Sequence, residues 1–483
     1  MLQILRCSWR WEVASPYQHD AYERPLRGRP SIFDVNDERL LTKGALGAFE
    51  AEWLNEVRTW LEGTKKGGMA LGVHHTKSVL ERLNLEHTPP HILHIAGSNG
   101  KGTVCALVAG ALSLSNVPNL LFSSPHLIRV EERIRVNGVP IDAEKFDAAL
   151  QSVHQAAGQP PAVPLTFFEA TYLAAMQCAN MEHVEVLILE TGLGGRKDAT
   201  RSGPATVCLV TSLSAEHSDI LGDTIPKIAK EKAAIARPDR PILIRNPLDE
   251  DVKQAIVEQV QAPGQPQLGE QQRPAEVDFI EIPNKSSVRE EACLLARALL
   301  EKSGLPTSAL DTAFETVQWP ARMQHINATT KDGHSFILDA AHNPSGLARV
   351  LPELEHHVSN ACKEGNAGWS LLFGTSPQID LEAFCQPLID LCCRHPPRHI
   401  VLTVPQGGRY PGVSTDRLAK LGWPCDSIHV HENPENAVAH LDGLDPVDVG
   451  LVVSLGSLYL QGNILESLGR SSNEDLSLMA KQS

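Results

Sequence analysis

Short apolar runs recur along the chain, each followed by a longer stretch in which apolar positions return every three or four residues. Ile92–Ala96, Leu120–Ser123, Val184–Leu189, Thr206–Val210 and Ile242–Ile244 read as strands. Ala45–Leu61, Leu71–Leu83 and Ser286–Ser303 have helical spacing. Such βα alternation predicts a mostly parallel sheet with helices on both faces. The segment Gln259–Pro274 is rich in Gln, Pro and Gly and reads as an exposed loop. Trp319-Pro320 then breaks the pattern as a linker would. Beyond it, Phe336–Ala340, Ser370–Phe373, Ile400–Val404, Ser427–Val430 and Gly450–Ser454 are strands separated by helix-length segments, which predicts a second, smaller α/β domain. The expected organisation is an irregular extension over residues 1–44, a first domain over 45–318 and a second over 319–483. The polar tail after about Ser471 is expected to fray.

Composition narrows the class without changing this picture. A chain of 483 residues exceeds what one core usually serves, which agrees with two domains. The 10 cysteines lack close metal-type spacing, Cys392-Cys393 being adjacent, and read as reduced thiols of an intracellular enzyme. No apolar run is long enough to cross a bilayer, so a soluble protein without membrane partner is expected. The net charge of −15 argues against a nucleic-acid groove. It also opposes anionic substrates at long range, so any attraction must come locally from Lys101, Arg196, Arg322 and metal ions. The first residues carry Arg6, Arg10, Arg24, Arg27 and Arg29 but also Glu12, Asp20 and Glu23, whereas transit peptides are poor in acids. Cytoplasm is the expected location, mitochondria the alternative.

The chemistry begins in Gly97-Ser98-Asn99-Gly100-Lys101-Gly102-Thr103, set between a strand and the helical run from Val104. Glycines there let backbone N–H groups converge on anionic oxygens at a helix N-terminus, Lys101 adds a point charge, and Thr103 can offer a hydroxyl to Mg²⁺. The implied ligand is a nucleoside triphosphate. The usual pattern places Ser or Thr directly after the lysine, whereas here Gly102 intervenes.

Ser124, Glu190 and Ser212–His217 each follow the carboxyl end of an expected strand, the crest at which open parallel sheets bind ligands. Glu190 can hold Mg²⁺ or serve as a solvated cap, and His217 can be a ligand or a hydrogen-bonded loop histidine. Lys232 continues the helix face of Ile225, Ile228 and Ala229. A lysine buried there favours the neutral amine, which can take up CO₂ as a carbamate. The other reading is a lysine whose head escapes to water. In the second half, Asp339 and His342 follow a strand end, in a turn that serves equally as a helix cap through Asn343 or Ser345.

Together these segments resemble the folylpolyglutamate synthase and dihydrofolate synthase family of the Mur ligase superfamily, from about Leu71 to Gly462. Besides the phosphate loop, the likeness is carried by Ser124-Pro125-His126-Leu127, Glu132–Gly138, Thr166-Phe167-Phe168-Glu169, Glu190–Thr200, Glu216-His217 with Leu221-Gly222, Ile228–Ala233, Trp319-Pro320-Ala321-Arg322 and Asp339–Pro344. The resemblance implies an α/β fold in which a P-loop ATP-binding domain with a mostly parallel sheet joins a smaller Rossmann-like domain. The family phosphorylates a carboxylate with ATP, and the amino group of glutamate displaces the phosphate. Carried over by position, Gly97, Ser98, Asn99, Gly100, Lys101, Gly102, Thr103, Arg322 and Asp339 would bind ATP. Thr103, Ser124 and Glu190 would hold one Mg²⁺ and His217 a second, supported by carbamylated Lys232, with Lys101, Lys232 and His342 at the chemistry.

The chain departs from the family in Glu216 for an Asp, in Ala233 and Ala340 for Gly, and in Pro320-Ala321-Arg322 with Gln324 for Pro-Gly-Arg with a nearby Glu. It also lacks an Asn near Arg289–Ala292 and carries Thr375–Asp380 in place of an Asp-Lys-Asp-like segment. These changes bear mainly on nucleotide binding and the second domain. The expectation is a monomeric folylpolyglutamate synthase using ATP, folate or dihydropteroate, and L-glutamate. Dihydrofolate synthase activity, another acid–amine pair and a nucleotide-binding regulator without catalysis are the alternatives.

Overall fold

Fourteen strands build two sheets in the computed structural model, which describes residues 56–68, 72–215, 218–261, 273–328, 333–363, 367–408 and 410–479. The expected extension over residues 1–44 lies outside these. Strands β1 (His91–Ala96), β2 (Asn119–Phe122), β3 (Ile134–Val136), β4 (Val139–Pro140), β5 (Val186–Glu190), β6 (Val207–Val210), β7 (Pro241–Arg245) and β8 (Glu276–Ile280) form the first, in the order β4-β3-β2-β5-β1-β6-β7-β8. All its neighbours are parallel except the β2-β3-β4 meander. The second holds β9 (Gln324–Ile326), β10 (Phe336–Leu338), β11 (Trp369–Phe373), β12 (Ile400–Thr403), β13 (Ile428–His431) and β14 (Leu451–Leu455), ordered β13-β12-β11-β14-β10-β9. Only β9 runs antiparallel to its neighbour. The mostly parallel α/β architecture expected from the apolar runs is therefore present in both halves.

Central strands are legible as continuous apolar runs because helices cover both faces: β2, β5, β6, β11 and β12 are buried at every position. The helix Lys101–Leu114 is likewise apolar all round, and Val104–Leu112 are all buried between the sheet and the helices Val288–Lys302 and Leu310–Thr316. Strands β3, β4, β8 and β9 are not evident in the sequence, being short or half-exposed edge elements. Part of the expected 259–274 loop lies outside the described residues, and its start, Gln259–Gln261, ends the helix Glu250–Gln261 instead.

One expectation is overturned. The tail is not frayed over its described residues, which end at 479: Leu476 and Leu478 are fully buried, and Leu478 donates its N–H to Gly138 O at 2.9 Å while its carbonyl accepts from Gln318 N at 2.8 Å. The physical reason is a turn over Ser472–Ser477, closed by Leu476 N on Ser472 O at 3.2 Å, after which Leu478 enters the first sheet's core and is tied to the residue before Trp319. Trp319 itself is more than a linker residue, since it packs partly buried against that same core. Among the described residues no helix is long and apolar enough to cross a membrane.

Candidate active site

The crest of the first sheet faces the second lobe across a cavity of about 790 Å³, lined by Gly97–Val104, Ser124, Glu190–Gly194 and Lys232 on one side and by Arg322, Asp339–Pro344, Gly346 and Arg349 on the other. Strand β1 lies between β5 and β6, so the loop that follows it opens beside Glu190 at the end of β5 and Thr211 after β6. A side chain at Gly97, whose φ is +146°, would collide with Thr211 Oγ1. Gly100, at φ 85°, caps the helix from Lys101. The loop is braced from behind: Ser98 N donates to Ser212 O at 2.8 Å, Ser214 N to Ser98 Oγ at 3.1 Å, and Thr211 Oγ1 to Asn99 O at 2.8 Å.

Gly102, the residue that interrupts the usual phosphate-loop spacing, has a local cause. A Cβ there would lie 2.8 Å from Trp319 Nε1, so the glycine is what lets the indole rest on the first helical turn. Arg135 stacks on the other side of this wall, its guanidinium 4.7 Å from the Trp319 ring centre.

The lysines meet at one atom. Lys101 Nζ donates to Gly97 O at 2.9 Å and Lys232 Nζ to the same oxygen at 3.0 Å. Lys232 is only 2% exposed, so its head does not escape to water. Its helix, Ile225–Ala233, buries Ile228, Ala229, Lys232 and Ala233 on one face, as the spacing predicts, but Ile225, at the helix start, is exposed and does not belong to it.

Glu190 is 6% exposed and accepts from Ser124 N at 3.2 Å, which joins two of the expected metal ligands. Burial pushes its carboxyl above the ordinary range, and the charges of Lys101 and Arg322 pull it back. The loop that delivers Ser124 is ordered by Glu132, which accepts from the N–H groups of Leu127, Ile128 and Arg129 at 3.1, 2.8 and 2.8 Å. Thr103 lines the same cavity. Thr103, Ser124 and Glu190 offer hard oxygen donors of the kind Mg²⁺ takes. His217 lies outside the described residues.

From the second lobe, Asp339 is buried and accepts from Met323 N at 2.9 Å and Ala341 N at 2.8 Å. Burial raises its carboxyl, opposed chiefly by Arg322, and both residues line the cavity. His342 is exposed at the rim, with Nδ1 2.8 Å from Ala340 O. Asn343 caps the helix Pro344–Ala361 through Gly346 N at 2.7 Å, so the cap reading of this turn holds while Asp339 and His342 still face the crest. Arg196 is corrected: it is paired with Glu231 at 2.7 Å, reaches Gln259 at 2.6 Å, and is not among the cavity-lining residues.

Two bridges between the lobes were not visible in the sequence. Asn99 Nδ2 donates to Ser345 Oγ at 2.8 Å, with Ser214 Oγ 3.1 Å from the same hydroxyl and Asn343 Nδ2 3.3 Å from Asn99 Oδ1. Farther along the cavity, buried Glu291 is clasped by Arg349 at 3.0 and 3.2 Å and touched by Arg245 at 3.3 Å. Each pairs residues remote in sequence, so no local spacing reports them.

No family model matches the chain. A dihydrofolate synthase/folylpolyglutamate synthase of Escherichia coli is 30% identical over 326 residues, which cover 63% of this chain and 73% of that protein. The chain belongs to the dihydrofolate synthase/folylpolyglutamate synthase family. A second member, from Haemophilus influenzae, is 36% identical over 211 residues, 44% of this chain and 46% of that protein, so this match spans less than half of the relative's length. A solved bifunctional folylpolyglutamate synthase/dihydrofolate synthase with Mn, AMPPNP and L-glutamate bound shares the fold, with a TM-score of 0.68 at 24% identity over 86% of this chain and 98% of that one. Of the chain's departures from the family pattern, Ala340 is buried with its N–H on Ala321 O at 2.9 Å, and Asp380 caps the helix Leu381–Arg394 through Ala383 N at 2.9 Å. Glu216 lies outside the described residues.

Proposed function

We propose that this protein is an ATP-dependent ligase that adds L-glutamate to a folate, acting as a folylpolyglutamate synthase. The observation that carries the reading is the junction at Gly97, where the phosphate-loop lysine and a buried helix lysine share one carbonyl beside the buried carboxylate of Glu190. ATP transfers its γ-phosphoryl to the acid's carboxylate, releasing ADP. The glutamate amine then attacks the acyl carbon, the C–N bond forms, and phosphate leaves.

In this scheme the loop 97–103 binds the triphosphate through its N–H groups, and Lys101 adds a fixed positive charge where charge gathers on the phosphoryl oxygens. Thr103, Ser124 and Glu190 would hold one Mg²⁺, and His217 a second supported by Lys232 as a carbamate. Magnesium bound there neutralises phosphate charge during transfer. Lys232 is buried beside Lys101 at the Gly97 carbonyl, the position that a metal-supporting carbamate would take in this reading. Arg322 and Asp339 bind the nucleotide from the second lobe, with His342 at the rim. The second lobe, divided from the first at Trp319-Pro320, keeps water from the acyl phosphate. Because one chain furnishes both walls of the cavity, a monomer suffices, and the cytoplasm is its proposed place of action.

Phosphate release and product mass are to be measured with dihydropteroate, tetrahydrofolate and its diglutamate, each with and without glutamate. Glutamate-dependent extension of the tetrahydrofolate substrates is the expected result. Turnover of dihydropteroate alone would reassign the chain to dihydrofolate synthase activity. ATP binding without turnover of any acid would leave a nucleotide-binding regulator.

A further inference from the structure

Four histidines gather at the outer edge of the second sheet, away from the cavity. The edge strand β13 pairs in parallel with β12, so that His429 stands opposite Val401 and His431 opposite Thr403. Alternate positions put both imidazoles on one face of the strand. The helix Pro434–Asp442 adds His440, whose ring centre lies 4.2 Å from that of His429 and 5.0 Å from that of His431. His399, just before β12, is 5.5 Å from His429. All four residues are half-buried.

We propose that His399, His429 and His440, with His431 beside them, form a binding site for one divalent transition-metal ion of the zinc or nickel type. His399 Nδ1 and His429 Nε2 are 3.4 Å apart, and both meet Ser427 Oγ, at 2.8 and 2.9 Å. A tetrahedral ion with metal–nitrogen bonds of about 2.0–2.1 Å sets its ligand nitrogens roughly 3.4 Å apart, so one edge of the coordination tetrahedron is already in place. Among the described residues no three His, Cys, Asp or Glu side chains converge on one such point, so binding requires the His440 ring to turn toward this pair. Its Nε2 is buried and without a hydrogen-bond partner, as is that of His431, so the turn breaks no hydrogen bond at that atom.

An all-imidazole set prefers zinc, copper or nickel over magnesium, so the site is chemically distinct from the oxygen donors around Glu190.

The test is calorimetric titration of the full chain with Zn²⁺ and with Ni²⁺, in excess Mg²⁺ and ADP so that the oxygen-donor site is filled. One saturable site is expected, weakened at least about ten-fold by His429→Gln and by His440→Gln, with Mg²⁺-dependent turnover unchanged in both variants. His399→Gln, before the neighbouring strand, supplies a third variant should an edge-strand change impair folding. Absence of saturable zinc or nickel binding, or binding that survives the substitutions, overturns the proposal.

Discussion

Ser345→Ala is the perturbation that most directly tests whether the second lobe must rest on the phosphate loop. The hydroxyl accepts from Asn99 Nδ2 at 2.8 Å and lies 3.1 Å from Ser214 Oγ, two contacts that cross between the lobes. The substitution keeps the capping bond from Gly346 N to Asn343 Oδ1 at 2.7 Å, although that oxygen loses the 3.0 Å bond donated by the Ser345 hydroxyl. Neutral hydrogen bonds contribute about 0.5–1.5 kcal/mol each, so the pair is worth about 1–3 kcal/mol. The residues are half-buried and water can re-solvate Asn99 and Ser214, so the lower part of that range, about 1–1.5 kcal/mol, applies. A closure equilibrium shifted by that amount lowers kcat/KM for glutamate roughly 5- to 12-fold. Affinity for ADP should change less, since the phosphate loop and its bracing by Thr211 and Ser212 stay in place. The fraction of ATP hydrolysed without amide formation should rise as water reaches the acyl phosphate. The assay is steady-state kinetics with phosphate and amide product quantified together, repeated for Asn99→Ala and the double variant. Equal coupling of hydrolysis to ligation, a kcat/KM within about two-fold of the parent, or strict additivity of the two substitutions would refute the reasoning.

Three further outcomes follow from single residues. Lys232→Ala should abolish turnover and regain part of it with added short carboxylates, and the parent protein should incorporate labelled bicarbonate at Lys232; full activity of the variant would remove the assigned role. Burial lifts the Glu190 carboxyl above its unfolded value of about 4.3, so folding favours its protonated form. That contribution is complete below the unfolded value and is lost as pH rises through the folded one. In Mg²⁺-free protein, Glu190→Gln should therefore gain stability relative to the parent between acid and neutral pH, whereas excess Mg²⁺ should reverse the order, both read as Tm against pH. Leu478→Ala should cost about 3–5 kcal/mol in urea unfolding, because the side chain is fully buried in the first sheet's core; a cost below about 1 kcal/mol would restore the frayed tail.

Much of this architecture was legible in the sequence wherever the cause is local. Strands β5 and β6 announce themselves because helices on both faces demand near-continuous apolar residues, and the phosphate loop because its glycines are consecutive with a strand and a helix. Lys232 was legible through a 3.6-residue period, and the structure removes the alternative in which its head reaches solvent. The tail was misread because two leucines in a polar stretch carry little composition signal, while their burial depends on the hairpin at Gly138, far away in sequence. The Asn99–Ser345 and Glu291–Arg349 bridges were invisible for the same reason: each depends on how the two lobes are apposed, a property no local window contains.

The tail, the linker and the phosphate loop are parts of one physical unit. Leu478 holds Gln318 through its carbonyl, and the next residue, Trp319, brings its Nε1 within 2.8 Å of where a Cβ on Gly102 would stand. Arg135 stacks on the same indole, is bonded to the Glu132 carbonyl, and reaches Leu476 O at 3.4 Å. Glu132 in turn orders the loop that carries Ser124 to Glu190. The inserted glycine that spoils the usual phosphate-loop spacing is thus the point at which the connection between the lobes touches the nucleotide-binding turn. A rotation of the second lobe that moves Trp319 must move the first turn of the Lys101 helix or open a gap beside it. Close packing makes either costly, and that cost is what ties the position of the second lobe to the geometry of the loop.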